Sequence, residues 1–231
     1  MYKMVNLFEL IICLTKAADF IMPGFEMHRQ QIAYWALKIA KQLNLPERQQ
    51  TDLIFAGLLY DMDELFNDKN KDKAFFISEL QKIPQLFNVA EGLKFAHISW
   101  NNGAGKFAKG KPVPIISHII NLAAYIADLM KKEKNIIGQI EDIQNTIKKR
   151  KDSYFVPGFA DAFINISSNE YIWLDSKENP LLSILGSADN LGTIYLNMDE
   201  IVSFCRIFAA LIDFRNTLNS NHSVGVAKTA E

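Results

Sequence analysis

Apolar residues recur at intervals of three and four along nearly the whole 231-residue chain, and this spacing constrains the fold more than any other feature. Val5, Leu7, Phe8, Leu10, Ile11, Leu14, Ala17 and Ala18 share one side of a helix over residues 5–20, which Pro23-Gly24 ends. Ile32, Ala33, Trp35, Ala36, Ile39, Ala40 and Leu43 repeat the pattern over 28–43, closed by Asn44 and Pro46. A third helix over 47–63 is almost wholly apolar from Leu53 to Tyr60, which predicts a central place for it. Further helices are predicted over 75–80, 89–99, 115–132, 136–149, 157–166, 181–186 and 197–218, the last opening on the capping-box pattern Asn197-Met198-Asp199-Glu200. The charged stretch 67–73 reads as exposed loop, and Asn101-Asn102-Gly103-Ala104-Gly105 as a turn that needs positive φ. No run of strict alternation occurs, so no strand is predicted and the class is all-α.

At about 150 residues per domain the chain is one domain and a remainder. Its 25 basic and 26 acidic residues give no net drive toward nucleic acid or anionic lipid, and neither is expected as a partner. No run of 18 apolar residues is present, so no membrane span is expected, and Glu9 interrupts the N-terminal apolar run before any cleavage site for a signal peptide. Cys13 and Cys205 sit in apolar segments and read as buried hydrophobes rather than a disulfide, which fits a reducing cytoplasm. With four His and two Cys, any multi-ligand metal site must draw on Asp and Glu. Tyr34, Trp35, Phe55, Phe75, Phe76 and Phe163 read as core, and Lys148-Lys149-Arg150-Lys151 as a solvated helix end that suits the macrodipole.

The two ends of the chain resemble one another. At an offset of 194, Asp19-Phe20 aligns with Asp213-Phe214, His28 with His222 and Ala33 with Ala227. Each copy is an apolar helix ending in Asp-Phe, followed by a His at a fixed distance. The expected organisation is a helical domain over 1–170, a linker with a short helix over 171–196, and over 197–231 a long helix and the opening of a second domain.

Several stretches in order resemble the HD-GYP branch of the HD metal-dependent phosphohydrolases. They are the helix starting at His28; Ala56-Gly-Leu-Leu-Tyr-Asp-Met, similar to AALLHDIG; and His97-Ile-Ser-Trp-Asn-Asn-Gly-Ala-Gly, similar to HHExxDGxGYP. Lys111-Pro-Val-Pro with the helix after it, and Tyr154-Phe-Val-Pro with the helix after it, resemble later family segments. The resemblance implies an HD-domain, phosphodiesterase-like helical bundle. It also implies a pocket where His and Asp hold two or three metal ions and a bridging hydroxide attacks a phosphodiester.

Against that pattern the ligand set is short. The HD pair stands as Tyr60-Asp61, and no His lies between Asp61 and His97. His97 matches one or the other of the family's paired His, and the GYP tripeptide falls on Gly105-Lys106-Phe107. The late metal Asp falls on Ala124 or a neighbour, with Asp128 a turn too far. Metal-ligand positions with competent residues are thus His28, Asp61 and His97, while Tyr60, Asp61, Gly103 and Gly105 mark vestigial motif positions. The expectation is no cofactor, with His28 and Asp61 a buried hydrogen-bonded pair; the alternative is one Fe, Mn or Zn ion, for which three such ligands suffice. His118, where the family has Arg, is expected on a helix surface.

The expectation is a catalytically degenerate HD-GYP-like domain with a regulatory, sensing or scaffolding role in a longer tandem protein. Its expected partners are a nucleotide or phosphate ligand and a second copy in a homodimer. The alternatives are a phosphohydrolase with a reduced metal site, similar to cyclic dinucleotide phosphodiesterases, and a metal-free interaction module similar to HDOD domains.

Overall fold

The computed structural model describes residues 2–21, 27–66, 74–131, 133–186 and 193–215. The chain runs through β1 (Tyr2–Asn6), α1 (Leu7–Ile21), α2 (His28–Gln42), α3 (Glu47–Leu58), α4 (Ala74–Gln81) and α5 (Phe87–Lys94). A short hairpin, β2 (Phe107–Ala108) and β3 (Lys111–Pro112), precedes α6 (Ile115–Leu129) and α7 (Ile140–Arg150). It ends with α8 (Pro157–Ile166), α9 (Glu170–Glu178), α10 (Pro180–Leu185), β4 (Thr193–Asn197) and α11 (Met198–Arg215). The fold is all-α, a bundle in which α2 packs against α3, α6, α8 and α10. No helix among the described residues is long and apolar enough to cross a membrane.

The centre of the bundle follows from side-chain volume. Every residue of α2 from Gln31 to Leu37 is buried, and Trp35 is fully enclosed. Its ring meets Trp173 of α9 at 4.7 Å and Phe163 of α8 at 5.5 Å between centroids, both edge-on, the geometry aromatic quadrupoles favour. Tyr34, Phe55 and Phe76 are buried and Phe75 packs against the core from its margin, as their sequence context predicts. On α3, Gly57 lets the two helices touch: a Cβ there would lie 2.4 Å from the Ala33 Cα.

Several expectations need correction. β1 and β4 form an antiparallel pair, two five-residue strands that each run straight into a helix and so show no separate periodicity. Residues 170–178, expected as linker, are helix α9, whose Trp173 and Ile172 complete the core. Cys13 and Cys205 are exposed, because each lies on the outward side of its helix. His118 is buried, only 7% exposed on α6, since that helix is enclosed on nearly all sides. The second His-bearing motif, at His222, lies outside the described residues.

Candidate functional site

Four helix ends meet where the candidate ligands sit. His28 opens α2, Tyr60 and Asp61 follow α3, His97 follows α5, and Asp128 lies in the last turn of α6. They form two His–carboxylate pairs. The His28 Nε2 is 3.3 Å from Asp128 Oδ1, and the His97 Nε2 is 3.6 Å from Asp61 Oδ1. Asp128 is therefore in reach of the site, where counting residues placed it a turn too far. Spacing along one helix does not show how α6 is seated along α2.

The chain leaves α3 at Leu58 and reaches Asp61 in a left-handed backbone conformation, φ 55°. Asp tolerates this better than most side chains, and such a residue, at a cost of order 1–3 kcal/mol, persists only where its surroundings impose it. Arg29 does so here. Its Nε donates to the Tyr60 carbonyl at 3.0 Å, and its Nη1 is 2.6 Å from Asp19 Oδ1 at the end of α1. Arg29 was not legible as a site residue, although an Arg directly after the motif's His, on a helix start, was the available signal.

Electrostatics set the protonation of the pair Tyr60-Asp61. Burial, then the nearby Glu64 and Asp63, push the Asp61 carboxyl up to about 7, against the pull of Arg29. Its Oδ1 is buried and has no hydrogen-bond partner. Burial also drives the Tyr60 phenol far above its ordinary range, helped by Asp61 and Asp128, so it is a neutral O–H. That hydroxyl stands 3.5 Å from His97 Nδ1, long for a hydrogen bond. A neutral phenol oxygen is a weaker donor to a divalent ion than the imidazole nitrogen of a His at this position.

The donor types of His28, Asp61, His97 and Asp128 suit a first-row divalent ion. Their arrangement does not: among the described residues no three His, Cys, Asp or Glu converge closely enough to hold one. The predicted triad His28, Asp61 and His97 is brought to one region, with His28 against Asp128 rather than enclosed with Asp61 as a tight buried pair.

Beside the pairs, a turn over 101–106 carries the retained glycines. Gly103 has φ 91°, and a Cβ on Gly105 would lie 2.0 Å from the Ser99 carbonyl oxygen. Both glycines are thus demanded by the backbone. The Trp100 N–H donates to the Tyr154 carbonyl at 2.8 Å, and the indole N–H to Asp152 Oδ1 at 3.2 Å. Arg150 lies over the rings of Tyr125 and Tyr154, at 4.9 and 5.4 Å from their centroids. This cation–aromatic stack accounts for one member of the basic run at 148–151, and a 2.7 Å ion pair between Lys151 and Asp161 for another. His118 stands edge-on to Trp100 at 5.5 Å with its Nε2 unpartnered, and burial lowers its basicity.

The chain matches no protein-family profile and no curated protein sequence. In three dimensions it is similar to the crystal structure of a cyclic GMP-AMP specific phosphodiesterase from V. cholerae (V-cGAP3), with a TM-score of 0.71 and 17% sequence identity. The similarity covers 96% of this chain, which spans 63% of the length of that one. At this identity the likeness is one of fold: the helical bundle built from this sequence is similar to part of the structure of that phosphodiesterase.

Proposed function

We propose that the bundle is a catalytically degenerate HD-GYP-like domain with a regulatory, sensing or scaffolding role in a longer protein that holds two such domains. The observation that carries this reading is Tyr60. A buried neutral phenol occupies the first position of the motif pair, and the remaining His and carboxylate groups stand as two separate pairs. A hydrolytic site of this type needs several ligands around shared ions to lower the pKa of the attacking water. The domain holds no metal cofactor in this reading, works in the cytoplasm, and takes a nucleotide or phosphate ligand or a second copy of itself as partner.

A second reading, a phosphohydrolase with one remaining Fe, Mn or Zn ion, is favoured by the buried Asp61 Oδ1 that lacks a hydrogen-bond donor. One experiment separates the two. Elemental analysis of protein purified without chelator is expected to find well under one equivalent of metal, with no hydrolysis of bis(p-nitrophenyl) phosphate or cyclic GMP-AMP. A full equivalent that disappears in His28→Ala or Asp61→Ala, accompanied by hydrolysis, establishes the reduced metal centre instead.

A further inference from the structure

The units β1–α1 and β4–α11 are two copies of one design, 191 positions apart. Each is a five-residue strand that runs directly into a helix through an Asn, and that Asn caps the helix. The Asn6 Oδ1 accepts the Glu9 N–H at 3.2 Å, and the Asn197 Oδ1 accepts the Glu200 N–H at 2.9 Å. The copies pair with each other. Tyr2 faces Asn197, Met4 faces Tyr195 and Asn6 faces Thr193, so the first position of one strand meets the fifth of the other, and the third meets its own equivalent. Such a register has a local two-fold axis through Met4 and Tyr195, an isologous contact within a single chain. The offset of 194 at the helix ends exceeds 191 by three, the difference between the 18 residues of α11 and the 15 of α1.

Burial on the two helices is exchanged. In α1, the residues Leu7, Ile11, Leu14 and Ala18 are buried against the bundle and Ile21 is half-buried. Their equivalents on α11 are Met198, Val202, Cys205, Ala209 and Ile212, apolar at every position with the alternating spacing of four and three that marks a core face. Yet Met198 is 52% and Ile212 59% exposed, Cys205 is exposed, and the other two are half-buried. The helix α11 rests on this bundle with its other side, through Phe204, Ile207 and Leu211, against α4 and the turn at 62–66. The α1 residues equivalent to those three, Cys13, Lys16 and Phe20, are exposed.

We propose that α11 is the opening helix of a second bundle of the same kind, formed by the polypeptide after residue 215, and that the stripe Met198, Val202, Cys205, Ala209 and Ile212 is the core face on which that bundle packs. By the local two-fold, α11 does for the second bundle what α1 does for the first. The α1 face bearing Cys13 and Lys16 then receives the second bundle as this one receives α11. The proposal rests on the tandem reading above and names the surface that joins the two halves. It is independent of whether the first site binds metal.

The chain's two cysteines, Cys13 and Cys205, lie on the two faces concerned and report on both. N-ethylmaleimide labelling under native conditions, read residue by residue by peptide mass, is compared between the 231-residue chain and the natural full-length protein. Both thiols label rapidly in the former, and both Cys205 and Cys13 are expected to be protected about tenfold or more in the latter. In the 231-residue chain Ile212→Asp leaves the thermal midpoint within about 2 °C, whereas Phe204→Ala lowers it by more than that. Equal labelling of Cys205 in both proteins, or a natural protein with no further bundle's length of chain, overturns the proposal. So does an Ile212→Asp loss as large as that of Phe204→Ala. Metal content reads the first site alone, so the two proposals fail separately.

Discussion

Protonation at the half-buried Asp61 and the buried His118 makes the bundle's stability depend on pH in opposite senses. Asp61, held up to about 7 by burial and by Glu64 and Asp63, binds its proton more tightly folded than unfolded. It therefore opposes folding increasingly as pH rises from about 4 through 7. His118 works the other way. Burial beside Trp100 lowers its basicity against the opposing pull of backbone hydrogen bonds to Gly105 and Ile98, so the unfolded chain takes up the proton first and stability falls as pH drops below about 6.5. Urea denaturation at pH 7 and pH 5 is expected to show His118→Gln losing less stability than the parent, by up to about 1.4 kcal/mol per pH unit. Equal losses would place His118 in solvent. His28, Asp61 and His97 were legible as candidates because their motifs are local. Their partners were not, since Asp128 meets His28 only through the seating of α6 on α2.

Between elements, the α2–α3 contact is set by the missing side chain of Gly57. In an exposed helix Gly→Ala gains up to about 1 kcal/mol. Here the added methyl meets the Ala33 backbone at 2.4 Å and must push the helices apart, so Gly57→Ala is expected to destabilise by about 1–3 kcal/mol in urea denaturation. A gain in stability would mean that the helices part freely. The long helices were readable because periodicity is a property of neighbouring residues. The strands β1 and β4 were not, since each is defined by a partner 191 positions away. Nor was α9, where exposed Tyr171 and Leu174 blur the apolar face and Asn169 and Asn179 read as breaks. The predicted helix over 47–63 stops at Leu58 because the left-handed residue at Asp61 cannot continue it.

On the scale of the molecule, the segment after α8 belongs to the bundle through Trp173, which is fully buried against Trp35 and Phe163 and donates its indole N–H to the Ser167 carbonyl at 2.8 Å. Trp173→Ala is expected to cost about 3–5 kcal/mol in chemical denaturation, the range for emptying a large aromatic site. A loss under about 1 kcal/mol would make this segment an appended connector. The fold likeness over 96% of the chain was foreshadowed by motif order, while the pairing of its two ends needed coordinates. Arg29 joins these scales. One guanidinium grips Asp19 at the end of α1 and the carbonyl just before Asp61. Helix α1 and the backbone just before Asp61 thus share one anchor, so a change at Arg29 releases the end of α1 and the left-handed turn together.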